Sequence, residues 1–233
     1  MTFSWVGDGD SQYTTSGTQS TSLGYGTAGD VLIAWASGRG ESNDAAYTPD
    51  GSGWSELGSV IRCDYTAGPF GNRYGSFQAW WKVLDGTETT LTIYRSGGSR
   101  HRIGFAVYTS DSGETPAIIG AVADDTTGST NVATYTPPDF TAVSNVRVVS
   151  FIFIHTDVSG YLSVPTPRGF SSSTQAADPP AGILVDKACA PGSVSMPSIS
   201  AGGASRPWTS KTLALAAELP PGTDGWSVGF LKF

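Results

Sequence analysis

The chain has 233 residues, of which 39% are apolar and only 14% charged, and its formal net charge is −7. This length suits one large β-domain or two small ones, and the apolar share with its 7 Trp excludes a disordered chain. The acidic balance and the lack of any basic cluster exclude a partner gripped through its phosphates, so no nucleic-acid ligand is expected.

Charge is well below the usual share of about a quarter, so the polar surface must be built from Ser, Thr, Asn and Gly. The 30 Gly and 14 Pro disfavour long helices, because both residues break helix interiors. The opening MTFSWVGDGD has neither a charged nor an apolar leader segment, so no secretory signal is expected. No apolar run approaches the roughly 18 residues of a membrane helix, and VVSFIFI (148–154) is strand-length, so no membrane insertion is expected. Two cysteines, Cys63 and Cys189, are too few for a disulfide framework. Free thiols in a cytosol-made protein or one bridge across the chain both remain open.

Period-two alternation recurs along the chain, which is the signature of strands. The first strong segment, GDVLIAW (29–35), is a nearly continuous apolar run, as a central strand covered on both faces requires. The turn Pro49-Asp50-Gly51 then leads to Gly53-Trp54. In SFQAWWKVL (76–84), Phe77, Ala79, Trp81 and Val83 share one face, while Ser76, Gln78, Trp80 and Lys82 share the other. After Leu84-Asp85-Gly86 and a Thr-rich stretch ending at Tyr94, RIGFAVY (102–108) sets Ile103, Phe105 and Val107 against Arg102, Gly104, Ala106 and Tyr108. NVRVVSFIFI (145–154) reads as a second central strand. SKTLALAAEL (210–219) alternates and stops at Pro220, so it reads as a strand despite its helix formers, and GWSVGFLKF closes the chain with another.

The two halves echo each other. Residues 4–35 and 119–151 both run from a short apolar strand through an acidic turn and a Thr/Ser-rich run to a second apolar strand. Residues 47–59 have a partner in 163–174, where Gly169-Phe170 stands for Gly53-Trp54, and SKTLALAAEL is the partner of RIGFAVY. With strands roughly every 10 to 15 residues and turn chemistry between them, the expected fold is all-β. It is a jelly-roll-like antiparallel β-sandwich, a single domain over 1–233 built from pseudo-repeats 1–115 and 116–233 that share one core.

Groups able to carry chemistry are sparse. His101 sits between two arginines in SRHRIG, a cationic neighbourhood that would lower its proton affinity. His155 precedes Thr156-Asp157, but no G-x-S-x-G elbow accompanies it, so it reads as a strand-end histidine and no enzyme is expected. Asp8/Asp10 and Asp124/Asp125 occupy corresponding places in the halves. They read as turn residues, with Ca²⁺ the open alternative, although one such loop supplies too few oxygens. Neither zinc spacing nor a phosphate cradle is present, and no cofactor is expected. Aromatics are the remaining candidates: Trp54 at a loop-to-strand position, Trp80 opposite Trp81, and Tyr94. Trp80 has three readings, a subunit contact, core packing, or a sugar platform with Trp54 and Tyr94.

Gly29-Asp30-Val31-Leu32, Gly53-Trp54, Trp80-Trp81-Lys82-Val83 and the Thr-rich strand Thr89–Ile93 together resemble a recurrent β-sandwich unit of bacteriophage virion proteins. The likeness covers about 19–110 and, more loosely, 130–218, where Phe170 replaces the Trp and Asp186-Lys187 the Trp pair. It implies a capsid-decoration, tail-tip or tail-fibre protein that is made in the host cytoplasm and held in the virion. Its partners would be other virion proteins, further copies of itself, and a host-surface glycan. It implies no catalytic residue. The alternative is a free carbohydrate-binding, lectin-like module.

Overall fold

The computed structural model describes residues 3–11, 14–15, 17–40, 46–66, 72–96, 100–111, 116–118, 123–126, 132–142, 144–154, 167–171, 181–200 and 207–217. The first half contributes β1 (Phe3–Asp10), β2 (Thr18–Ser22), β3 (Val31–Gly40), β4 (Ala46–Pro49), β5 (Ser55–Glu56), β6 (Ile61–Thr66), β7 (Asn72–Val83), β8 (Thr90–Ser96) and β9 (Arg100–Ser110). The second contributes β10 (Pro116–Ile118), β11 (Ala123–Thr126), β12 (Thr134–Tyr135), β13 (Phe140–Ala142), β14 (Val146–Ile154), β15 (Pro167–Ser171), β16 (Ala181–Cys189), β17 (Gly192–Val194), β18 (Ile199–Ser200) and β19 (Trp208–Ala217). No helix occurs among the described residues. The strand expected in GWSVGFLKF and the histidine at 155 lie outside them.

The chain is all-β, and its described strand pairs are antiparallel. One large sheet runs β1-β9-β3-β7-β5, with β6 also on β7; the other runs β10-β19-β14-β16-β15, with β11 also on β19. In each, the last long strand of its half slots between the first strand and the long apolar one. Position by position, β3 matches β14, β7 matches β16 and β9 matches β19; the sequence echo pairs the first and the last of these. The smaller sheet β2-β8-β4 covers one large sheet, and the ribbons β12-β18 and β13-β17 belong to the other half.

Alternation decides which residues meet. Val31, Ile33, Trp35, Phe77, Ala79 and Tyr108 of the first half share a buried cluster with Val149, Phe151, Phe153, Leu184 and Leu213 of the second. The opposite face of the first large sheet, with Leu32, Ala34, Trp80, Ile103 and Phe105, packs on Tyr47, Leu91 and Ile93 of the small sheet. Val148, Ile152, Val185 and Trp208 do the same against Tyr135, Val194 and Ile199 of the short ribbons. The result is a stack of sheets with the two large ones face to face in its middle. Strand β1 lies beside β15 and β6 beside β11, so the edges of the two large sheets cross over reciprocally.

Polar ties join the halves at the rim of this central core. Arg147 donates to the Phe3 carbonyl at 2.7 Å and to Asp186 at 2.9 Å, and the Tyr108 hydroxyl donates to Asp186 at 3.1 Å. Lys211, fully buried, reaches the Ser59 carbonyl at 3.3 Å. Cys63 is buried and Cys189 half-buried, and no disulfide joins them, so the bridge across the chain is not made.

One glycine is required by close approach. The Trp35 indole packs against Gly104, where a Cβ would overlap the ring and sit 2.9 Å from the Gly9 carbonyl. The indole is 1% exposed and held by Phe153, so it has no room to retreat. Gly104→Ala is expected to lower stability by about 1–3 kcal/mol through overpacking; the urea-unfolding midpoint measures this, and an unchanged midpoint would mean the indole can swing away.

A candidate binding face and the polar groups beneath it

The short strands of the small sheet alternate strictly. Gln19, Leu91, Ile93 and Tyr47 point inward and are buried. The residues between them point outward: Thr18, Ser20 and Ser22 on β2, Thr90, Thr92, Tyr94 and Ser96 on β8, Ala46 and Thr48 on β4. Pairing register aligns these into rows, with Tyr94 between Thr18 and Thr48, Thr92 opposite Ser20, and Thr90 opposite Ser22. The Ser20 and Thr92 hydroxyls are hydrogen-bonded at 2.8 Å. Tyr94 is 44% exposed, and no member of the face is charged.

The three aromatic candidates are not brought together. Trp80 is 2% exposed and lies under the small sheet. The expectation of Trp80 as an interface or glycan contact is therefore corrected: β7 is covered on both faces, and its indole is core. Tyr94 sits on the other side of the same small sheet. Trp54 is half-buried against the core that holds Trp80, with its Nε1 donating to the Asp50 carbonyl at 2.8 Å and the Lys82 ammonium 5.6 Å from its ring centre. Lys82 in turn pairs with Glu88.

Beneath the small sheet, His101, Gly38 and Ser76 are in register across β9, β3 and β7. Tyr47 reaches over Gly38 to hydrogen-bond Ser76 at 2.8 Å, and its ring is 6.2 Å from that of His101. Burial pushes the Tyr47 hydroxyl up to about 12, against the Ser76 hydrogen bond and the charges of Arg95 and Arg62. His101 is 0% exposed, and neither ring nitrogen has a hydrogen-bond partner. Burial, and then the neighbouring Arg95 charge, push its pKa down to about 4. The serine in this cluster is thus bonded to a phenol, and the imidazole holds no hydroxyl.

The sign of the resulting pH dependence follows directly. The unfolded chain takes up a proton on this histidine near pH 6.5, whereas the fold refuses it until about pH 4. Stability is therefore full above pH 6.5 and is lost as the pH falls through that window, by about 3 kcal/mol at its lower end. Urea titrations at several pH values should show this loss, and it should be absent from His101→Leu; an equal loss in the variant would assign the effect elsewhere.

The acidic pairs lie in strands. Asp10 pairs with Arg102 at 3.0 Å; burial raises its pKa, the arginine opposes that, and Asp8 adds to it. Asp125 accepts a hydrogen bond from the Tyr135 hydroxyl at 2.7 Å. Among the described residues no three His, Cys, Asp or Glu side chains gather as a metal ion would need. The hydroxyl rows escaped sequence reasoning, although the alternating TQSTS and TLTIY carried the signal. Comparison with protein-family models, curated proteins and solved structures gives no match.

Proposed function

We propose that the chain is an accessory structural protein of a bacteriophage particle, a decoration, spike or tail component that works through surface contacts without turnover. The observation that carries this reading is the central core shared by two similarly ordered large sheets, a rigid stack with uncharged rows of hydroxyls on its outer side. The matching strand orders also support an origin of the two halves by duplication of one jelly-roll-like unit. The resemblance of residues 19–110 to virion β-sandwich units and the low charge of the chain point the same way.

In this role the protein assembles with capsid or tail proteins and with further copies of itself. Mass spectrometry of purified particles with copy-number counting tests it. A few copies per particle mean a tail position and hundreds a capsid coat; a monomer that never co-sediments with particles would overturn the reading.

A further inference from the structure

We propose that the outer face of the sheet β2-β8-β4 binds a neutral carbohydrate, with the Tyr94 ring as its stacking platform and the hydroxyls of Thr18, Ser20, Thr48 and Thr92 as its hydrogen-bonding rows. This goes beyond a structural role in a particle and does not depend on it. The face is held rigid from below, because Leu91, Ile93 and Tyr47 anchor its three strands in a buried core. Tyr94 stands on the central strand, so a threonine flanks it on either side, with Cβ atoms about 5 Å from its own.

Three classes of occupant would need three different surfaces. A protein partner anchors on buried aromatic and arginine hot spots, and serine and threonine contribute little there. An anionic polymer needs cations, and none of the outward residues carries a charge. A neutral sugar needs an aromatic plate for its apolar C–H face and hydroxyls that both donate and accept. The face supplies those two things and no charge, so the charge match selects the sugar. The short ribbons of the second half give an internal comparison. Beside them, Thr136 just after β12 and Ser198 just before β18 also pair their hydroxyls, at 2.6 Å, but among the described residues no exposed large aromatic accompanies them.

The test is a glycan array carrying neutral hexopyranose oligosaccharides beside sialylated and uronate-bearing ones. Calorimetric titration of the best neutral oligosaccharide follows, with the full chain and its variants. Retention of neutral glycans is expected, with Tyr94→Ala weakening binding about tenfold, Tyr94→Phe staying within about threefold, and Ser198→Ala unchanged. Thr48→Glu, which leaves Tyr94 in place, is expected to abolish binding and guards against a misfolded Tyr94→Ala. Retention of acidic glycans alone, of no glycan, or of neutral glycans with unchanged affinity in both Tyr94→Ala and Thr48→Glu would overturn the proposal. Particle co-sedimentation of the same variants is read separately, so loss of sugar binding with intact co-sedimentation distinguishes this face from the structural role.

Discussion

Trp35→Ala is expected to destabilise the protein by about 3–5 kcal/mol, the usual range for removing a fully buried large aromatic. Trp35 is 1% exposed and contacts Phe153 of the other half with ring centres 4.8 Å apart, beside Phe77, which meets Phe153 at 4.6 Å. The void would open over Gly104, which has no side chain of its own to fill it. Because these rings come from both halves, the loss should appear as one cooperative transition moved to lower urea, with its slope unchanged. Two separated transitions, with only the first half weakened, would show that the halves are independent folding units.

Arg147→Ala is expected to cost a similar amount, about 3–5 kcal/mol, by a different route. The Asp186 side chain is 3% exposed, and the guanidinium that neutralises it lies 2.9 Å away on the adjacent strand β14. The same guanidinium holds the Phe3 carbonyl of β1, and its carbon lies 5.8 Å from the centre of the Tyr108 ring. Truncation leaves a buried carboxylate without its counter-charge and removes the arginine's share of the tie between the halves. The double variant Arg147→Met/Asp186→Leu should recover much of that loss, since apolar replacement removes the charge along with its partner. Equilibrium unfolding of the single and double variants decides it; an additive double variant would show the pair to be uncoupled.

The faces of β7, β9 and β19 were legible because each is long enough for alternation to be read directly, whereas β3 and β14 were legible as central strands from their continuous apolar runs. The choice between core and contact at Trp80 was not legible, for a physical reason. Alternation says that Trp80 and Trp81 part company, but not whether a further sheet covers the second face, and the covering strands β2, β8 and β4 are short and mostly polar. The same shortness hid the hydroxyl rows, which exist as rows only after Thr18 and Thr48 are aligned on Tyr94 by pairing. The Tyr108–Asp186–Arg147 ties were out of reach of local pattern, since they join strands from different halves.

The strand order also fixes a timetable for synthesis. Strand β1 leaves the ribosome before the other strands of its sheet, yet its partner is β9, with Phe3 set against Ser110. Strand β14 likewise waits for β19. Once residue 110 has emerged, the first large sheet can zip together, but the face bearing Trp35 and Phe77 stays uncovered until Phe151 and Phe153 are made. Nascent chains therefore pass through a stage with a broad aromatic surface in water. Such non-local pairing folds slowly and is prone to association between neighbouring chains. A ribosome stalled shortly after β9 presents that surface, and chaperones that recognise exposed apolar segments would meet the protein there.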